Sequence, residues 1–249
     1  MGASITPELI KAVTAIVLVT AGYLAYYSIA FSGTIKNRLA GSYATDGQKT
    51  ILFVFQKLTG FSLMGLLPAG LFFSFFTLQP RPYAFAGFSM TVPSYAVLTL
   101  VMLILATSAL ASRKADVYKR IPHMRLSQWG PKQVLISISG WALYLLAYEY
   151  IFRGLLLFST AAAFGIWPAI AINLLLYSVF HIPNGKKETL AAIPFGFVLC
   201  VVSLLTGSFW MAFLLHLVLS ISTEIFSIYY NPAMRFQFMR KETEHMKRP

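Results

Sequence analysis

Cysteine is nearly missing from this chain: Cys200 stands alone among 249 residues, which excludes a disulfide scaffold and any multi-cysteine zinc site. Charge is scarce too, at 11% of residues where globular domains carry about 25%. Of eight acids only Asp46 and Asp116 are aspartates, and both fall in polar segments, so no aspartyl dyad can be assembled. No His-Glu-x-x-His occurs, which removes the zincin helix. No basic run is interleaved with aromatics as a stacking platform for nucleic acid requires, so no nucleic acid partner is expected. Internal repeats and linkers are lacking as well, and residues 1–249 read as a single membrane domain.

What the chain does have is apolar side chains: 57% hydrophobic residues, 15% aromatic, and a mean hydropathy of +0.69. A folded interior of this size cannot absorb that surplus, so much of it must face lipid. Crossing about 30 Å of hydrocarbon takes about 20 mostly apolar residues. Segments 9–31, 51–76, 93–111, 134–158, 167–181, 190–206 and 208–230 qualify, the fifth being short. The expected fold is an all-α, polytopic membrane bundle of seven transmembrane helices, or eight with an interfacial one. Thr6, Pro7 and Glu8 open the first segment as cap, first-turn proline and first-turn acid. With no small-residue cleavage site, it reads as a retained helix rather than a signal peptide.

Lys and Arg are distributed unevenly. Segments 32–50, 112–133 and 186–187 and the tail from 235 hold 16 of the 20. Lys11 and Arg81 lie on the other side, and Lys57 and Arg153 fall within apolar stretches. The positive-inside rule therefore places the amino terminus outside and the carboxyl terminus in the cytoplasm; a plasma (inner) membrane is the expected location. Lys57, six residues into its span, is expected to snorkel.

An ionisable group at membrane depth is the informative observation, since a charge at a helix centre costs about 2.5 to 3.5 kcal/mol on insertion scales. Glu149, Arg153, His181, His216 and Glu224 complete that inventory. Glu149 and Arg153 are four apart on one helix. Asn173, Tyr177 and His181 make a second stripe, and His216, Ser220, Thr223 and Glu224 a third. Lipid forbids all three stripes from pointing outward, so a polar cavity walled by the fourth, fifth and seventh helices is expected. A carboxylate, two imidazoles and a guanidinium are a set for general-base chemistry or metal binding.

Tyr148-Glu149-Tyr150-Ile151-Phe152-Arg153-Gly154 resembles the Glu-Glu-x-x-x-Arg motif of the CPBP family, the CAAX prenyl endopeptidase and bacteriocin-processing group. Tyr177-Ser178-Val179-Phe180-His181 is similar to its aromatic-x-x-x-His motif, and His216-Leu217-Val218-Leu219-Ser220 to its His-x-x-x-Asn motif. The three stand in order over residues 130–230, the core that carries the resemblance. It implies an intramembrane endopeptidase acting on a membrane-associated peptide or protein. In that picture a glutamate activates water, histidines position it or stabilise the oxyanion, and the arginine holds the site together. Glu149, His181 and His216 are then the catalytic set, with Arg153, Tyr148, Ser220 and Glu224 in support. The same three side chains would be the ligands of a divalent metal such as zinc, if one is used.

The chain departs from the family pattern twice. Tyr148 stands where the motif has its first glutamate, and Ser220 where it has asparagine. A phenol, with a reference pKa near 10, cannot replace a carboxylate base at neutral pH. The base would move to Glu149 or to Glu224. The departures also open a second reading, a degenerate member acting as a membrane scaffold, peptide-binding or immunity-type protein. A proton-relaying transporter is disfavoured by the lack of inverted halves. Ser220 and His216, four apart on one helix, read as satisfying each other rather than as a nucleophile and base.

Overall fold

The computed structural model describes residues 6–40, 45–76 and 92–237. Thr6 caps α1 (Pro7–Ala30), its hydroxyl accepting from the amide of Leu9 at 3.3 Å. A short helix, α2 (Gly33–Ala40), follows outside the span. A Thr45–Gln48 capping box opens α3 (Asp46–Phe61), which passes through a π-helical turn, Ser62–Leu66, into α4 (Leu67–Phe75). After α5 (Ser94–Ser112) and the single turn α6 (Ala115–Tyr118), α7 (Pro131–Glu149) runs through a second π turn, Tyr150–Leu156, into α8 (Leu157–Phe164). The bundle closes with α9 (Ile166–Phe180), α10 (Lys186–Thr206) and α11 (Trp210–Tyr230).

Six of these continuous helices are long and apolar enough to cross a membrane, and the 15-residue α9 is the shorter seventh. The expected all-α membrane bundle is therefore observed. Leu24, Leu98, Leu175 and Leu190 are each more than half exposed, as side chains facing hydrocarbon should be. Behind them lies a core in which Val19, Met64, Tyr148, Phe152, Tyr177 and Phe180 meet, joining α1, both π turns and α9.

The fourth apolar segment differs from its expected bounds. It continues to Phe164, for 34 residues from Pro131, because Ala161, Ala162 and Ala163 favour helix. The expected loop at 159–166 shrinks to Gly165, whose φ of 86° and ψ of 171° belong to a region open essentially to glycine alone. The resulting hairpin of α8 and α9 places Glu149 and His181 each 16 residues from Gly165, about 24 Å along either arm. That equal spacing brings the first and second motifs to one depth.

Two features were not expected. Strands β1 (Gln128–Trp129) and β2 (Arg235–Phe236) pair in parallel. Together with Asn231 Nδ2 donating to the Tyr118 carbonyl at 2.9 Å and Lys187 paired with Asp116 at 2.6 Å, they gather 113–130, 184–188 and 231–237 at one end of the bundle. Lys57 does not snorkel: it is 4% exposed, with its ammonium 3.0 Å from the centroid of a Trp141 ring and 4.7 Å from that of Tyr144. Of the basic residues counted above, Arg81, Arg240, Lys241, Lys247 and Arg248 lie outside the described residues.

Candidate active site

Local structure at the first motif is set by the π turn that begins directly after Glu149. An α-helix carries i to i+4 hydrogen bonds; widening to i+5 leaves carbonyls and side chains displaced, and such turns occur often at functional sites. The Phe152 carbonyl accepts from the Leu157 amide and also from Asn173 Nδ2 at 2.7 Å, so α9 braces the turn through a residue of its polar stripe. Cys200 on α10 completes that brace by donating to Asn173 Oδ1 at 3.3 Å.

Glu149 and Arg153 are both wholly buried. Arg153 Nη1 stands 3.2 Å from Glu149 Oε2 and 3.4 Å from Oε1, while His216 Nδ1 meets Oε1 at 2.5 Å. A carboxylate accepts, so His216 Nδ1 donates, and in the neutral imidazole Nε2 is then the acceptor. One carboxylate thereby holds a guanidinium from its own helix and an imidazole from α11. The guanidinium lies 4.2 Å from the Tyr177 ring centroid, a cation–π contact that ties in α9.

His181 ends α9, half-buried, where the chain turns through Ile182–Asn184 and Gly185. Its Nδ1 donates to the Tyr177 carbonyl at 2.7 Å, so that in the neutral imidazole Nε2 is the acceptor. Tyr23 on α1 supports this end from below, donating to the Phe180 carbonyl at 2.8 Å with its ring stacked on that of Phe180. Both imidazoles approach the same two aromatic rings. Tyr177 lies 4.5 Å from His181 and 6.3 Å from His216 between centroids, and Tyr148 lies 6.5 and 6.0 Å from them.

Glu149, Arg153, Tyr148, Tyr177, His181 and His216 thus converge. Ser220 is half-buried on α11 one turn beyond His216. The remainder of the α11 stripe diverges: Thr223 donates to Ser108 on α5 at 3.1 Å, and Glu224 accepts from Trp141 Nε1 on α7. Glu224 is eight residues, about 12 Å of helix, beyond His216. The bracing roles of Tyr23 and Cys200 escaped sequence reasoning, because each looks like an ordinary occupant of an apolar span. Among the described residues no three His, Cys, Asp or Glu side chains are grouped as metal ligands. A cation at Glu149 would also have to displace Arg153.

No curated protein and no solved structure matches the chain. Residues 130–222 match the family model described as Rce1-like, type II CAAX prenyl endopeptidase Rce1-like. That stretch holds the converging residues and ends before Glu224.

Proposed function

We take as premise that residues 130–222 are of the Rce1-like, CAAX-type intramembrane protease family, and from it we propose that this protein is an intramembrane endopeptidase. In this reading the Glu149–His216 pair activates water for attack on a peptide bond of a membrane-associated substrate. The observation that carries it is the 2.5 Å contact between Glu149 and His216 Nδ1. A buried carboxylate that fixes one imidazole nitrogen presents the other as a base, the logic of the catalytic triads on unrelated folds. His181, held in the same tautomer by a carbonyl, positions the water or the scissile carbonyl. Arg153 pairs with Glu149 and sets its orientation.

Arg153 already supplies the cation at Glu149, and this argues against a resident divalent metal such as zinc there. Chelators should leave cleavage unchanged. The test is cleavage of a quenched, prenylated peptide with a CAAX terminus by the purified protein in liposomes. Glu149→Gln, His181→Ala and His216→Ala should each lower the rate at least 100-fold, the usual scale for a lost base or its partner. Equal rates in all variants would overturn the reading. Tyr148, in place of the motif's first glutamate, favours a second one, a non-catalytic relative that binds peptide. Under it the wild type cleaves nothing, yet retains the peptide.

A further inference from the structure

We infer that the Tyr148 hydroxyl is the hydrogen-bond donor to the oxyanion in this site, the position of a lost carboxylate base having become that of an electrophile. This rests on the endopeptidase reading and deepens it. Tyr148 is 3% exposed, and its hydroxyl has no hydrogen-bond partner among the described residues. Buried tyrosine hydroxyls are normally paired. The unpaired one here belongs to the ring that meets both imidazoles edge-to-face, at interplanar angles of 88° to His181 and 82° to His216. Phe152, stacked on it at 4.7 Å, and Tyr144 at 5.8 Å hold the ring in place. The unpaired hydroxyl thus belongs to a ring packed between the two imidazoles, next in sequence to Glu149 and its ion pair with Arg153.

A phenol is protonated at neutral pH, with a reference pKa near 10. It can donate but not abstract, which leaves the base to His216 and makes Glu149 its positioning residue. The step then balances. His216 Nε2 takes one proton from water as the oxygen bonds to the carbonyl carbon, and the carbonyl π pair moves onto its oxygen, where the Tyr148 O–H donates. On collapse that pair re-forms the carbonyl, the C–N bond breaks, and the imidazolium proton goes to the departing amine. Water is the only co-reactant.

Tyr148→Phe removes one oxygen and keeps the ring packing, so its melting temperature should stay near that of the wild type. With the prenylated peptide in liposomes it should lower kcat 100- to 1,000-fold, the cost of a lost oxyanion donor, and leave KM within about twofold. A peptidyl phosphinate that mimics the tetrahedral oxyanion should lose affinity by a similar factor, which a merely structural role would not produce. An active wild type with an equally active Tyr148→Phe would overturn the assignment while leaving the endopeptidase reading intact. An inactive wild type converted to a peptidase by Tyr148→Glu would overturn both, by showing that the carboxylate itself was missing.

Discussion

At Glu149 a guanidinium and an imidazole share one buried carboxylate, and the consequences of removing either follow from what is left behind. A buried ion pair is weak testimony to net stability, yet breaking it by removing one partner strands a charge and costs about 3 to 5 kcal/mol. Glu149→Gln should strand Arg153, which is wholly buried, and Arg153→Met should strand Glu149. Each single variant should therefore unfold more easily in mixed micelles by about that amount, while the double variant recovers most of the loss. Denaturant titrations of the four proteins measure the coupling, and additive losses would show that the pair contributes nothing as a pair. Lys57 solves the same problem by other means. Its ammonium sits against Phe53, Trp141 and Tyr144, and Trp141 donates in turn to Glu224, so α3, α7 and α11 are tied through one indole.

Among elements, the two π turns face each other. Gly65 in the first lies against Ala147, just before the second, and a Cβ built at Gly65 would come within 2.5 Å of the Ala147 Cβ. Small residues allow such backbone approach in membrane interfaces, where packing rather than hydrophobic transfer drives association. Gly65→Val should push α7 away from the α3–α4 helix and displace Glu149 two residues on. Cleavage should fall more than 10-fold at a temperature where the variant remains folded, because small misplacements of a catalytic group are costly. Gly70→Val, at a glycine with open space around it, serves as the control and should retain activity. Much of this level was readable beforehand. The three polar stripes, their order and the Glu149–His216 convergence follow from spacing at 3.6 residues per turn. The π turns do not, since hydrophobic period shows which face is buried but not where one hydrogen bond widens to i+5. The α11 stripe misled for a related reason: His216 faces Glu149, while Thr223 and Glu224 reach α5 and α7, partners that no single helix can reveal.

For the molecule as a whole, the ends of the bundle carry different chemistry. Segments 113–130, 184–188 and 231–237 are bonded together at one end and bring Arg113, Lys114, Lys119, Arg120, Arg125, Lys186, Lys187 and Arg235 with them. Asp116 is the exposed acid among them, its carboxyl held below the usual range chiefly by the hydrogen bond from Lys187. That clasp is present above about pH 4, the ordinary carboxylate range, and is lost only as acid protonates Asp116 at lower pH. The positive-inside rule predicts that such a basic end lies on the cytoplasmic side, where anionic lipid would attract it, with the Gly165 turn between α8 and α9 facing outward. Trp167, 74% exposed, lies beside that turn. Because the one native thiol, Cys200, is wholly buried, single cysteines can be added without removing it. In right-side-out vesicles a membrane-impermeant maleimide should label Trp167→Cys and spare Lys119→Cys and Lys186→Cys until the membrane is opened. The reverse pattern would invert the molecule and turn the end of α9, where His181 stands, toward the outer surface. Substrate would then have to approach from that side, so the same labelling decides which compartment's peptides this site can reach.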